Sequence, residues 1–442
     1  MPRPSSYASL AARFAAGDAS PSSELAARLK RFDAVEPDMH AFVHVAREAA
    51  IAAAAASDRR WRANQPLSPI DGMPIGIKDI IETEDMPTGQ GSPIWAGFKT
   101  KRDSASVYAL REAGAIIFGK TVTTEFAASV PLMAVGNPHD LSRTAGGSSA
   151  GSAASVGAGI LPAALGSQVV GSTLRPASFC GCVGFKPSYG ALNRGGSFDH
   201  LTQSCVGILA ATPEDAWSVA TAIVARVGGD PGYPGLQGPA GIPAATMPRR
   251  LAALETAGWA KASEGARAAF AGACKRLAAL GIAVAGRRDD AKIEAFEPVI
   301  AEAAPVTFQI GDWEWRWPLA IYAKHPGLSE PMRKRLASGM AMTRDDYQRA
   351  LRRRQEIRDH YAQLAADYDG FVLLGAAGAA PVGLSWTGDT TINVPASLLG
   401  TPAITLPLLS DEGMPLGLQL IGRSNEDAAL MSSADWVWQH YD

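Results

Sequence analysis

Three residues of this chain have side chains and surroundings that would let a proton leave a hydroxyl: Ser172, Ser148 and Lys78. Ser172 lies in GSQVVGSTLRPASFCGCVGFKPSYG (166–190) beside the flexible Gly171, and no histidine or carboxylate occurs within twenty-five residues of it on either side. The nearest are Asp199 downstream and the 137–140 stretch upstream. A serine so placed is a packing residue or a nucleophile whose base arrives from elsewhere. Ser148 stands with Ser149 in TAGGSSAGSAASVGAG (144–159), where glycines let the backbone turn sharply and approach a ligand. Lys78 interrupts DGMPIGIKDIIETED (71–85), a β-branched run bounded by glycine and proline that reads as a strand covered on both faces. Burial penalises an ammonium, and the neutral amine it favours can accept a proton from a hydroxyl. Along a strand Asp79 points to the opposite face, away from that amine. Taken alone, Lys78 also fits a side chain that snorkels to the surface or pairs with a distant carboxylate.

A different chemistry is written into Gly147-Ser148-Ser149-Ala150-Gly151, which matches the G-x-S-x-G turn that carries a nucleophilic serine after a strand, with His325 or His360 as the later histidine. The context argues against it. That turn needs an apolar strand just before it, whereas SVPLMAVGNPHDLSRTA carries Pro131, Pro138 and polar residues.

The elements that must hold these residues follow from periodicity. Residues 7–60 read as helical, with Leu10, Ala11, Phe14 and Ala15 at helix spacing and an alanine-rich stretch after them. Helix-then-strand units recur at 104–121, 260–285 and 358–374, which is the alternation of a sheet sandwiched by helices. VGGDPGYPGLQGPAGIPAATMPRR (227–250) reads as an irregular surface connection. TPAITLPLL and GMPLGLQLIG read as neighbouring strands, followed by a helix over 425–438. Sheet signals on both sides of 227–250 place the middle of the chain as an insertion into one α/β domain.

Composition narrows the function. With 47% apolar and 19% charged residues, 45 glycines and 30 prolines, the 442 residues describe a loop-rich globular enzyme with a large core. A net charge of −2 without a long basic run excludes an electrostatic footprint for nucleic acid. Cys180, Cys182, Cys205 and Cys274 lack the spacing of a zinc site and read as buried thiols in a reducing compartment. No stretch reads as a signal peptide or membrane span, so a soluble cytoplasmic protein is expected.

From residue 7 to the end, and most strongly over 71–216, the chain resembles the amidase signature family. The resemblance rests on TAGGSSAGSAASVGAGILPAALGSQVVGSTLRPASFCGCVGFKPSYG and DGMPIGIKDII, with GKTVTTEFA (119–127), TPEDAW (212–217) and TPAITLPLLSDEGMPLGLQLIGRSNEDAAL (401–430) in order around them. The spacing from Lys78 to Ser148 to Ser172, 70 and then 24 residues, also fits. The resemblance implies one domain over 1–442: a central mixed β-sheet covered by helices on both faces, with a helical layer at 1–65, the signature core at 71–216 and a variable, substrate-shaping insertion at 227–345. It implies Ser172 as nucleophile, Ser148 as a bridging serine after a cis peptide bond, and Lys78 as terminal base. The backbone N–H groups of Val169, Val170, Gly171 and Ser172 would form the oxyanion hole, and neither metal nor cofactor is called for.

Two positions depart from the family's pattern. Gln168 stands where many members carry aspartate, with Arg175 three residues after the serine rather than two, and Val170 replaces a glycine. A supporting Asp–Arg pair is therefore missing or replaced by Gln168 with Arg175. The implied activity is hydrolysis of small-molecule amides, with carbamates within reach of the same attack, by a monomer or homodimer. The glutaminase-type subunit of the tRNA-dependent amidotransferase and a non-catalytic binding protein on the same fold remain as alternatives. Trp313, Trp315 and Trp317 alternate in FQIGDWEWRWPLAIYAKHPG (308–327) as on one face of an extended segment, which makes them either core or the wall of a pocket for bulky aromatic groups.

Overall fold

Among the described residues, seven strands of the sheet are buried at every position: β2 (Pro74–Lys78), β3 (Ile116–Thr121), β6 (Ala163–Gln168), β7 (Val183–Lys186), β8 (Cys205–Ala210), β11 (Gly370–Leu374) and β13 (Met414–Ile421). Their near-continuous runs of Ile, Leu, Val, Ala and Gly leave no face for water, and helices cover both sides. In the computed structural model, which describes residues 6–128, 131–199 and 201–441, the described strands form an eleven-stranded sheet and a two-stranded ribbon. The remaining sheet strands are β1 (Phe42–Val45), β9 (Arg250–Ala253), β10 (Ala283–Ala285) and β12 (Ala403–Asp411). The ribbon pairs β4 (Gly136–Asn137) with β5 (Asp140–Thr144). The order is β1-β3-β2-β6-β8-β7-β12-β13-β11-β9-β10. β2 runs parallel to β3 and β6, β9 runs parallel to β10 and β11, and the pairs between these groups are antiparallel, so the sheet is mixed.

Lys78 ends β2, which pairs with β6 inside the sheet. The register sets Ile77 beside Leu165, which brings the end of β6 alongside Lys78. Expected strands at 116–121 and 370–374 and the paired strands after 401 are present, the strand expected over 75–81 ends at Lys78 with a turn after it, and Asp427–His440 is a helix. The stretch 227–250 is irregular up to β9, as expected, and β9 and β10 extend the same sheet at its far edge.

Two expectations change. The N-terminal layer is not helical throughout: β1 separates the helices Pro21–Met39 and Arg47–Arg62 and pairs with β3 as an edge strand. The tryptophan-rich segment is a helix, Ala303–Tyr322. Residues four apart share a helix face and residues two apart do not, so Trp313 and Trp317 face one way and Trp315 another.

Candidate active site

Lys78 is fully buried, and its amine donates to Ser148 Oγ at 2.7 Å and Ser167 Oγ at 2.8 Å. Burial drives the amine down from its ordinary range to about 7, against an opposing pull from the charge of Asp199. Asp79, the first residue of the turn after β2, points elsewhere: its Oδ1 lies 3.4 Å from the amine of Lys120, on β3. Ser148 thus accepts from Lys78 and keeps its own O–H as a donor, the arrangement that lets one hydroxyl both receive and pass a proton.

Ser148 follows the ribbon and precedes the helix Ala150–Gly157, and the Gly147–Ser148 peptide is cis. Gly147 is needed there for space, since a Cβ would sit 2.8 Å from Cγ2 of Thr387. Arg175 locks this turn. Its Nη2 donates to Gly147 O at 2.7 Å and to Thr387 Oγ1 at 3.1 Å, and its Nε donates to Thr387 O at 2.7 Å, tying the 386–390 loop to the Ser148 turn. Burial lowers the guanidinium to about 10.

Gln168 does a separate job. Its Oε1 accepts from Thr173 N and Leu174 N, at the start of the helix Leu174–Cys180, and its Nε2 donates to Ser397 Oγ at 3.0 Å. The expected Gln168–Arg175 replacement pair is therefore not formed as a pair: one residue caps the helix behind Ser172 and the other braces the turn at Ser148. A neutral amide suffices for the cap because the acceptor there faces two backbone N–H groups rather than a guanidinium.

Val169 and Val170 are half-buried, and Val170 is not among the residues with positive φ, so its branched side chain meets no backbone conflict. Gly171 is required by close approach: a Cβ would lie 2.8 Å from Cβ of Asn393. Among the described residues, no group accepts a hydrogen bond from the N–H groups of Val169, Val170, Gly171 or Ser172. Four consecutive donors without acceptors beside a serine are suited to a developing oxyanion.

Ser148 and Ser172 open on a cavity of about 280 Å³. Phe126, Leu201, Phe308, Trp315 and Trp386 supply apolar wall, while Arg175, Asp199, Arg335 and Asp389 add charge. Of the three tryptophans expected at a pocket, Trp315 reaches this cavity. Trp313 and Trp317 line a separate open groove, with Trp313 stacked on Tyr347 at 5.3 Å under the guanidinium of Arg316 and Trp317 70% exposed. The helix explains the correction, because its two faces separate residues that an extended chain would align.

Sequence reasoning passed over Ser167, Phe126, Arg335 and the 386–390 loop. Ser167 carried no signal beyond a serine in a strand, and the loop lies more than two hundred residues from Ser172. Asp199 was visible as the nearest downstream acid, but without a role. Among the described residues no group of three or more His, Cys, Asp or Glu is placed to hold a metal ion, and no helix is long and apolar enough to cross a membrane. Cys180, Cys182 and Cys205 are buried free thiols and Cys274 is partly buried.

The Amidase family matches over residues 24–431. The glutamyl-tRNA(Gln) amidotransferase A subunit of Chloroflexus aggregans is 32% identical over 92% of this chain and 90% of its own length. A crystal structure of an amidase superposes with a TM-score of 0.84 at 28% identity, covering 98% of this chain and 99% of the other. The crystal structure of the glutamyl-tRNA(Gln) amidotransferase A subunit from Thermotoga maritima gives 0.73 at 25% identity, with 93% and 90% covered.

Proposed function

The chain belongs to the amidase family and is an amidohydrolase of carbon–nitrogen bonds other than peptide bonds, and from that premise we propose that Ser172 attacks the substrate carbonyl while Ser148 and Lys78 carry its proton away. The observation behind the proposal is the Lys78 amine, buried without an ion-pair partner among the described residues and donating to Ser148 on the floor of the cavity that holds Ser172. In the forward step the Oγ of Ser172 bonds to the carbonyl carbon, its proton goes to Ser148, and the proton of Ser148 goes to Lys78. The oxyanion is met by the N–H groups of residues 169–172. On collapse the relay runs backwards and protonates the leaving amine, without which an amide nitrogen departs very poorly. Water then repeats the cycle on the acyl-enzyme and frees the acid.

For substrate we propose bulky or aromatic amides and anilides, with aryl carbamates accepted by the same attack. Phe126, Phe308, Trp315 and Trp386 give a small cavity mostly rigid apolar surface, which suits a flat ring and offers little to acetamide. On this reading the segment 227–345 shapes specificity through the helix that supplies Phe308 and Trp315. The working form is a cytoplasmic monomer or homodimer acting on a small molecule. The test is turnover at matched concentration of an anilide, an aryl carbamate, acetamide and glutamine. The expected order puts the aryl substrates first, and equal or better use of acetamide overturns it.

A second reading has one observation in its favour, the 31–32% identity to amidotransferase A subunits over nearly the whole chain. Under it the chain releases ammonia from glutamine for a partner protein. Glutamine hydrolysis that exceeds anilide hydrolysis in the same assay selects this reading.

A further inference from the structure

The cavity holds a carboxylate that the proton relay does not use. Asp199 is 8% exposed and lines the cavity together with Ser148 and Ser172. Its Oδ2 is buried and, among the described residues, has no hydrogen-bond partner. A buried carboxylate oxygen in that condition is costly unless an opposite charge answers it. The cation nearest in sequence answers it only through space: Arg194 is bonded to Asp230, through its Nε at 2.6 Å and its backbone N at 2.8 Å, and feels the charge of Asp199 as the weakest of its influences. Lys78 has the complementary deficit, a buried amine with hydroxyl partners and no ion pair among the described residues.

We propose that Asp199 is a positioning residue for Lys78, whose negative charge favours the ammonium that Lys78 becomes when the proton of Ser172 has crossed Ser148. The inference rests on the Ser172–Ser148–Lys78 reading given above. In the relay one proton arrives at Nζ as one negative charge forms on the carbonyl oxygen. The oxyanion is answered by N–H donors, and the new ammonium would otherwise be answered only by two neutral hydroxyls in a fully buried position. Asp199 moves no proton and touches no reacting atom; it acts through Lys78.

The other charged groups around Lys78 are committed. Asp79, the next residue in the chain, is paired with Lys120 from β3. Arg175, from the helix behind Ser172, holds Gly147 and Thr387. Glu125, on the turn after β3, is held by Ser92 and Ser329. Arg335 pairs with Asp312, Asp389 lines the cavity beside the buried Arg175 and stabilises that guanidinium, and β6 faces Lys78 with the neutral Ser167. Cys205, on β8, is a thiol pushed up by burial and neutral in the working range. Asp199 is the carboxylate whose charge bears on Lys78. Desolvation pulls the amine down and Asp199 pulls it back, leaving it near 7, where a base is effective at neutral pH in both taking and returning a proton.

The test is the pH profile of kcat/KM for an aryl ester or anilide in the native chain and in Asp199→Asn, Asp199→Ser and Asp199→Glu. Loss of the negative charge leaves the amine neutral to lower pH. The acidic limb of Asp199→Asn should therefore move down by roughly one pH unit, the low end of what a nearby opposite charge does, while the plateau falls because the ammonium is less well answered. Asp199→Glu should keep the limb close to the native position. A merely structural role would lower the plateau and leave the limb where it is. An unmoved or upward-moved limb in whichever of the Asn and Ser variants keeps its native melting transition overturns the inference. Ser172→Ala, run alongside, separates the two claims: residual full activity there removes the relay and this inference together, whereas an inactive Ser172→Ala with an unmoved Asp199→Asn limb removes this inference alone.

Discussion

The two walls of the cavity are built in different ways. One comes from the ends of β2 and β6 and the segment 147–175. There Lys78, Ser148, Ser167, Gln168 and Arg175 are buried and held by hydrogen bonds to one another, to neighbouring backbone, to Ser397 and, through Arg175, to Thr387. The other comes from the helices Ala303–Tyr322 and Glu330–Ala341 and the 386–390 loop. It presents the faces of Phe308, Trp315 and Trp386, with Arg335 paired to Asp312 at 3.0 Å. Apart from Thr387, which Arg175 holds, an aromatic side chain of the second wall can change without disturbing a buried polar network, whereas on the first each loss strands a partner. On the proposed function, the wall fixed by the sheet carries the chemistry and the helical wall carries recognition.

Substitutions on the two walls should therefore differ in kind. The largest effects belong to the first: Ser172→Ala and Lys78→Ala should each cost on the order of 10⁴-fold or more in kcat, and the double variant little beyond the worse single one, because residues acting as a unit do not add. Steady-state kinetics on the folded variants checks this, and near-native turnover by Lys78→Ala contradicts it. Ser148→Ala should leave a larger remnant, since an amine so close to the serine pair can in part take the proton directly. In the native chain the rate should rise with pH through about 7, because the neutral amine starts the relay and the ammonium cannot. A rate that falls steadily from pH 6 to pH 9 in a still folded protein breaks the assignment of Lys78 as base.

The second wall should answer with selectivity rather than turnover. Trp315→Ala should shift the preference for anilide over acetamide by about tenfold, the size expected for a modest change in apolar pocket contact, with the proton-relay pH profile unmoved. The smallest effect is reserved for Trp317→Ala, whose side chain is 70% exposed in a groove away from the cavity. It should change selectivity not at all and stability by less than about 0.5 kcal/mol. A selectivity change as large as that of Trp315→Ala would mean that the helix presents its other face to substrate.

What could be read in advance follows the same division. Lys78, Ser148 and Ser172 were legible because glycine, serine and a lysine within an apolar strand are improbable surroundings without a use, and because their order and spacing match a family. The strands β2, β3, β11, β12 and β13 were legible from unbroken apolar runs. Ser167 was not, since its bond to Lys78 depends on the register of β2 against β6, which neither strand encodes by itself. The tryptophans misled through an accident of spacing: Trp313, Trp315 and Trp317 repeat every second residue inside a helix of twenty, whose buried face, with Val306, Ile310 and Leu319, takes in Trp315. β1 was hidden because four residues between two alanine-rich or leucine-bearing helices give too short a pattern to register. The 386–390 loop reaches the site through Arg175 and Thr387, a long-range contact that no local pattern announces.

The central claim, that Ser172 is the nucleophile and owes its reactivity to Lys78 through Ser148, meets its most direct test in covalent labelling by a serine-directed fluorophosphonate, followed by peptide mass spectrometry across pH 5.5 to 9. A single adduct on Ser172 is expected, formed at a rate that rises through about pH 7 in the native chain and is slowed by orders of magnitude in folded Lys78→Ala. An adduct on another serine, or labelling of Ser172 that is as fast in Lys78→Ala as in the native chain, contradicts it.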